Sequence, residues 1–125
     1  MGASFILSWV RAFLLTQLVE MGVYARATPE RPLRERLAIA FGASAITHPI
    51  VWFVIPELVR AWQPTGDWQR DWWIAVAIAE AWAVTGEAIW LSLFGRRVHV
   101  AFAWALGANA ASFTIGLFLY RFMAW

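Results

Sequence analysis

Four apolar stretches, each near the length that crosses a bilayer as a helix, constrain this chain most. They run over residues 3–24, 37–56, 72–94 and 98–120. A helix rises about 1.5 Å per residue, so about 20 residues cross the hydrocarbon layer. Helices are expected rather than strands, because lipid offers no partner for an open sheet edge. A β-barrel needs many short alternating segments, and these runs do not alternate. The chain has 125 residues, 62% hydrophobic and only 14% charged. A soluble domain carries about 25% charged residues, and a globule this small cannot hide so much apolar surface. The expected fold class is all-α: a polytopic membrane protein, an up-and-down bundle of four transmembrane helices. It forms a single domain over residues 1–125.

The connections over residues 25–36, 57–71 and 95–97 are short and polar, so successive helices form hairpins. No internal repeat or low-complexity segment is evident. The N-terminus lacks the basic region and cleavage site of a signal peptide, so the first helix is expected to remain in the mature protein. Arg26, Arg31, Arg34, Arg36, Arg96 and Arg97 lie in the first and third connections, against Arg60, Arg70 and Arg121 on the other side. The positive-inside rule then puts loops one and three in the cytoplasm and both termini outside. These arginines read as a topology signal, and no nucleic-acid partner is expected. The expected location is a bacterial inner (plasma) membrane.

Ten tryptophans are present. Trp52, Trp62, Trp68, Trp72, Trp73 and Trp125 fall near the expected outer interface, where an apolar ring with one N–H donor is favoured. Trp52, Trp68, Trp72 and Trp73 read as an anchoring belt, or as a stacking surface for a ligand or lipid. Small residues recur four apart at Ala75, Ala79 and Ala83, at Ala103, Gly107 and Ala111, at Ala108, Ser112 and Gly116, and at Ala38 and Gly42. Such ridges let helices approach closely in lipid. The last helix has ridges on more than one side, suited to a partner subunit.

Polar residues inside the apolar stretches carry the functional signal, because a charge at mid-bilayer costs about 2.5–3.5 kcal/mol or more. Glu80 and Glu87 lie two turns apart on one stripe. Counted inward from the outer surface, His48 lies at about 10 Å, Glu80 about 12 Å, Ser112 about 13 Å, Asn109 about 18 Å and Glu87 about 22 Å. A polar cluster of His48, Glu80, Asn109 and Ser112 is expected in the outer half, with Glu87 deeper. Pro49 removes a backbone N–H, so a kink is expected there. Arg11 and Glu20 lie on opposite sides of the first helix. Both read as interfacial or interhelical, with an Arg11–Glu80 ion pair possible.

No cysteine is present, so disulfides, thiolate metal sites and cysteine nucleophiles are excluded. No metal site is expected, since His48 and His99 belong to opposite surfaces. No cofactor signature is legible.

Thr47-His48-Pro49, Glu80 with Glu87, and Asn109-Ala110-Ala111-Ser112 followed by Gly116 together resemble a group of small, uncharacterised bacterial four-helix membrane proteins. The likeness spans most of the second to fourth helices and implies a polytopic fold without a chemistry. Phe94-Gly95-Arg96-Arg97 is similar to the last hairpin of small multidrug exporters, but Glu20 lies too near the edge to match their mid-helix glutamate. Asn109-Ala110-Ala111-Ser112-Phe113 is similar to a segment of dual-topology fluoride channels, whose other signatures are missing. The glutamates, His48 and Asn109 loosely resemble the inventory of glutamate-dependent membrane proteases, without their motif spacing.

Three functions follow as expectations. The first is a small subunit or scaffold of a larger membrane assembly. The second is a homo-oligomeric carrier of protons, ions or small solutes. The third is an intramembrane hydrolase using a glutamate as general base, with Asn109 at the oxyanion. The expected partners are the lipid bilayer and other membrane subunits or further copies of the chain. An enzyme is the less favoured class.

Overall fold

A computed structural model describes residues 3–123, and Trp125 lies outside them. Five helical segments are present: α1 (Ala3–Tyr24), α2 (Leu33–Phe53), α3 (Ile55–Trp62), α4 (Trp68–Leu93) and α5 (Val98–Met123). No strand occurs among the described residues. Four spans, with α2 and α3 counted as one, are long and apolar enough to cross a membrane.

The first helix ends where expected, and the others differ for local reasons. The second begins at Leu33 rather than 37, because Pro32 precedes its first turn and Glu35 sits within that turn. It continues unbroken through Pro49. The interruption falls instead at Val54 (φ −107°, ψ −55°), two residues before Pro56. Pro56 has no N–H for the carbonyl of Trp52, and its ring disfavours a regular turn before it. The chain restarts as α3, which buries Ile55 and Val59 and exposes Glu57 and Arg60. So the first part of the connection read as residues 57–71 is helical. The third long helix starts at Trp68, four residues early, because Asp67 caps it. Its carboxylate accepts from the N–H groups of Gln69 and Arg70 at 2.9 and 3.0 Å, satisfying donors left open at a helix start. Gly95, at φ +94°, turns the chain into the last helix, a conformation that suits glycine.

The four long helices form a closed ring. α1 packs on α2 and α5, and α4 packs on the same two neighbours. α1 and α4 are therefore diagonal. The interior is built from small side chains: Ala40, Ala43, Ala88, Ala101, Ala105 and Ala108 are almost fully buried, around Tyr24 and Leu91. Ala75, Ala79 and Ala83 face inward as the ridge pattern implied. At Gly42 the indole of Trp90 occupies the space of a side chain, 2.6 Å from where a Cβ would stand. Its Nε1 donates to the Ile39 carbonyl at 2.9 Å. Leu14, Leu18, Ile46, Ile89, Leu93 and Leu106 project outward instead. The large apolar residues are outside and the small ones inside, the reverse of a water-soluble bundle.

The first and third connections meet at one end. Arg96 pairs with Glu30, and its guanidinium holds the Glu30 carboxyl below the usual carboxylate range. Arg31 donates to the Phe94 carbonyl at 3.3 Å and lies over the Phe94 ring at 5.6 Å. Arg36 donates to the Ala25 carbonyl. Three arginines of the basic cluster therefore also fasten this end. The opposite end carries α3 and both ends of the described chain. It is called the terminal end below.

Candidate functional site

Carboxyl groups from two helices reach the centre of the ring, and each meets hydroxyl or amide donors from its neighbours. Glu87, 1% exposed, extends from α4. It accepts from Tyr24 Oη of α1, from Thr47 Oγ1 of α2 at 2.8 Å and from Asn109 Nδ2 of α5 at 2.5 Å. All four long helices thus converge on one carboxyl. One turn of α1 away, Glu20 joins three of the helices, α1, α2 and α5. It is 1% exposed. Its Oε1 accepts from Ser112 Oγ at 2.6 Å and its Oε2 from Ser44 Oγ at 2.5 Å. Buried carboxyls survive in an apolar interior when their lone pairs are met in this way.

The residues of the expected polar cluster, His48, Glu80, Asn109 and Ser112, line one cavity, but their side chains are not hydrogen-bonded to one another; Ser112 Oγ reaches only the Asn109 backbone carbonyl, at 3.1 Å. Asn109 belongs with Glu87, and Ser112 belongs with Glu20. Of the two readings of Glu20, the structure supports the interhelical one, between α1, α2 and α5, and not the interfacial one. The depth count treated the helices as straight rods starting at one level, and it neglected side-chain reach. Tyr24 and Ser44 were not singled out, and Thr47 only as part of the Thr47-His48-Pro49 motif. Their spacing carried a signal, since Gln17, Glu20 and Tyr24 share one face of α1, and Ser44, Thr47 and His48 share one face of α2.

Above this floor, a cavity of about 370 Å3 runs toward the terminal end. Its polar lining comes from Arg11, Glu20, His48, Glu80, Glu87, Asn109 and Ser112, and its apolar lining includes Leu15, Val51, Trp52, Phe113 and Leu117. That size falls within the range of small-molecule pockets, about 300–1,000 Å3. Gly116 keeps one wall open, with only the Leu15 side chain near the position of a Cβ at 3.9 Å.

Three lining groups differ from the floor in being unpartnered. Glu80, half-buried on α4, has no hydrogen bond or ion pair among the described residues. The Nδ1 of His48 is buried and has no hydrogen-bond partner among them either. Arg11 is exposed and has no ion-pair partner within 4.0 Å among the described residues, so the Arg11–Glu80 pair is not formed. Arg11 and Glu20, on opposite sides of α1, nevertheless line the same cavity. The long arginine side chain spans the difference.

The tryptophans divide. Trp52 lines the cavity and stacks on His48, with ring centroids 6.1 Å apart and planes 20° apart. Trp72 and Trp73 meet edge-to-face at 4.6 Å on the outside of the terminal end, and Trp68 is 79% exposed. Trp52 thus departs from the belt and joins the site.

No group of three or more His, Cys, Asp or Glu side chains could hold a metal among the described residues. Asn109 donates to Glu87 and to the Ala105 carbonyl at 3.0 Å, so the oxyanion donor required of a hydrolase is engaged elsewhere. The site can bind a polar solute by charge, with an apolar wall beside it. Compared with known proteins, the chain matches no family model, no curated protein and no solved structure.

Proposed function

We propose that this chain is a carrier of a small solute bearing a cationic group, working as a homo-oligomer in a bacterial plasma membrane. Both termini lie outside and the arginine-rich connections lie in the cytoplasm, so the cavity faces outward. The outward apolar side chains and the arginine asymmetry support the membrane placement. The observation that carries the functional reading is the division among the carboxyls. Glu20 and Glu87 are consumed by the bundle, whereas Glu80 is left unpartnered in a ligand-sized cavity. An intramembrane carboxyl is costly, and one that holds no helix is best explained by a ligand or proton that it holds. A bundle of 14.2 kDa is too thin to enclose a full pathway, hence the oligomer.

Proteoliposomes with an entrapped pH dye test this. A panel of small amines and amino acids is added outside wild type and Glu80→Gln. At least one solute is expected to enter or exchange with protons in wild type, and Glu80→Gln is expected to lose that flux. Flux no greater than in protein-free liposomes across the panel would remove the proposal.

A second reading, a subunit of a larger assembly, is favoured by one observation. Ala103 and Gly107 lie on the outside of α5, with nothing within 4 Å of a Cβ at Gly107. This small-residue ridge does not pack in the chain's own bundle and suits a neighbouring helix. The same ridge serves the homo-oligomer that the carrier requires.

A further inference from the structure

We infer that the ligand of the cavity is a small zwitterion with an apolar side group, bound through its ammonium at Glu80 and its anionic group at Arg11. This deepens the proposed function and rests on the same cavity. The argument is one of unspent charge. Arg11 and Glu80 both line one cavity of about 370 Å3, yet they do not pair. Neither has another ionic partner among the described residues. An unpartnered cation and an unpartnered anion in one cavity complement a molecule that carries both signs.

Competing ligands each leave something unexplained. A proton alone does not use a space of this size. A bare metal ion finds no group of three carboxylate or imidazole donors among the described residues, and Arg11 opposes it. A simple monocation satisfies Glu80 but leaves Arg11 repelling it. A zwitterion uses both charges and cancels them, which lowers the cost of holding either in an apolar surround. His48 lines the same cavity, stacked on Trp52. Leu15, Val51, Trp52 and Phe113 supply the apolar wall for a side group.

The shared chemistry is an ammonium and an anionic group on one small frame. A free α-amino acid carries it, and so does the ethanolamine phosphate headgroup of a lipid. Binding to the full chain in phosphatidylcholine nanodiscs is measured by tryptophan fluorescence, with Trp52 at the site as reporter. The probes are L-leucine, leucinamide, which lacks the carboxylate, and 4-methylpentanoate, which lacks the ammonium. Wild type is expected to bind leucine at least tenfold more tightly than either analogue. Arg11→Gln is expected to erase the advantage over leucinamide, and Glu80→Gln the advantage over 4-methylpentanoate. Where leucine shows no advantage, native mass spectrometry supplies the lipid arm. Retention of phosphatidylethanolamine over phosphatidylglycerol, lost in both variants, supports the inference with the headgroup as source. Leucinamide binding as tightly as leucine, with no such lipid preference, overturns the inference and leaves the carrier of a cationic solute standing. Failure of every probe and both lipids to bind overturns the inference and counts against the carrier as well.

Discussion

Replacing Glu87 by Ala removes the one acceptor shared by all four long helices, and the cost can be worked from its partners. Three hydrogen bonds are lost. At about 0.6 kcal/mol each, the average for polar pairs between membrane helices, their sum is about 2 kcal/mol. The three donors then fare differently. Thr47 Oγ1 retains the carbonyls of Ala43 and Ser44, both at 3.4 Å. Asn109 retains the Ala105 carbonyl at 3.0 Å. The Tyr24 hydroxyl, on a residue with no exposed surface, is left without an acceptor. An orphaned buried donor adds about 1–3 kcal/mol. The burial cost of the carboxyl is borne by the separated helices in lipid too, so deleting it gives the folded state no relief. The expected loss is about 3–5 kcal/mol. Glu87→Gln keeps an amide oxygen for Tyr24 and Asn109, and its loss is expected to stay within about 1 kcal/mol. Glu80→Gln breaks no bond and is expected within about 0.5 kcal/mol of wild type. Reversible unfolding in mixed micelles ranks the three. Glu87→Ala as stable as wild type, or Glu80→Gln as damaging as Glu87→Ala, would refute the division into bundle-holding and free carboxyls.

Gly42→Ala is expected to cost about 1–3 kcal/mol by displacing Trp90, measured by thermal unfolding, and to cost much less in a Trp90→Ala background. Gly107→Leu should leave the bundle's own unfolding unchanged while abolishing self-association on gel filtration; unchanged association would place the oligomer contact elsewhere. The Glu30 carboxyl is held low by Arg96, so the pair supports the loop junction above the ordinary carboxylate pKa. That support is lost as pH falls through the lowered value. The protection of the Arg31 amide against hydrogen exchange, relative to its intrinsic rate, should therefore fall in acid, since that amide bonds the Thr28 carbonyl at 3.1 Å, and Arg96→Gln should extend the low protection to higher pH.

Much of the architecture was legible because length and hydropathy are read by lipid one helix at a time. The bounds of α1 and the inward ridge of Ala75, Ala79 and Ala83 follow from spacing alone. The break at Val54 was missed because two prolines compete in one apolar run. The loss of an N–H at Pro49 is absorbed within the helix, and the loss at Pro56 is not. The site was legible as an inventory but not as a set of pairs. Glu87, Asn109 and Ser112 were correctly drawn inward, since a membrane helix has few other uses for them. Their partners depend on relative heights of different helices, which no single-helix count supplies. For Glu20 the interfacial alternative gave too much weight to its position along α1, while the interhelical one agrees with its bonds to Ser44 and Ser112. The polar face of Gln17, Glu20 and Tyr24 is the better guide, because a polar stripe at helical spacing must face protein.

Glu80 lines a cavity open at the terminal end, while Ile78, two residues earlier on α4, lies on the outer surface. The chain has no cysteine, so single cysteines report without background. Glu80→Cys and Ile78→Cys differ in height by only about 3 Å but lie about 160° apart around α4, and Ile78 is 41% exposed on the outer surface. A thiol reagent that cannot cross the bilayer is added from the side of the termini. Glu80→Cys is expected to react and to be protected by a bound ligand, while Ile78→Cys stays unlabelled in lipid. An unreactive Glu80→Cys, or equal labelling at both positions, would contradict the account.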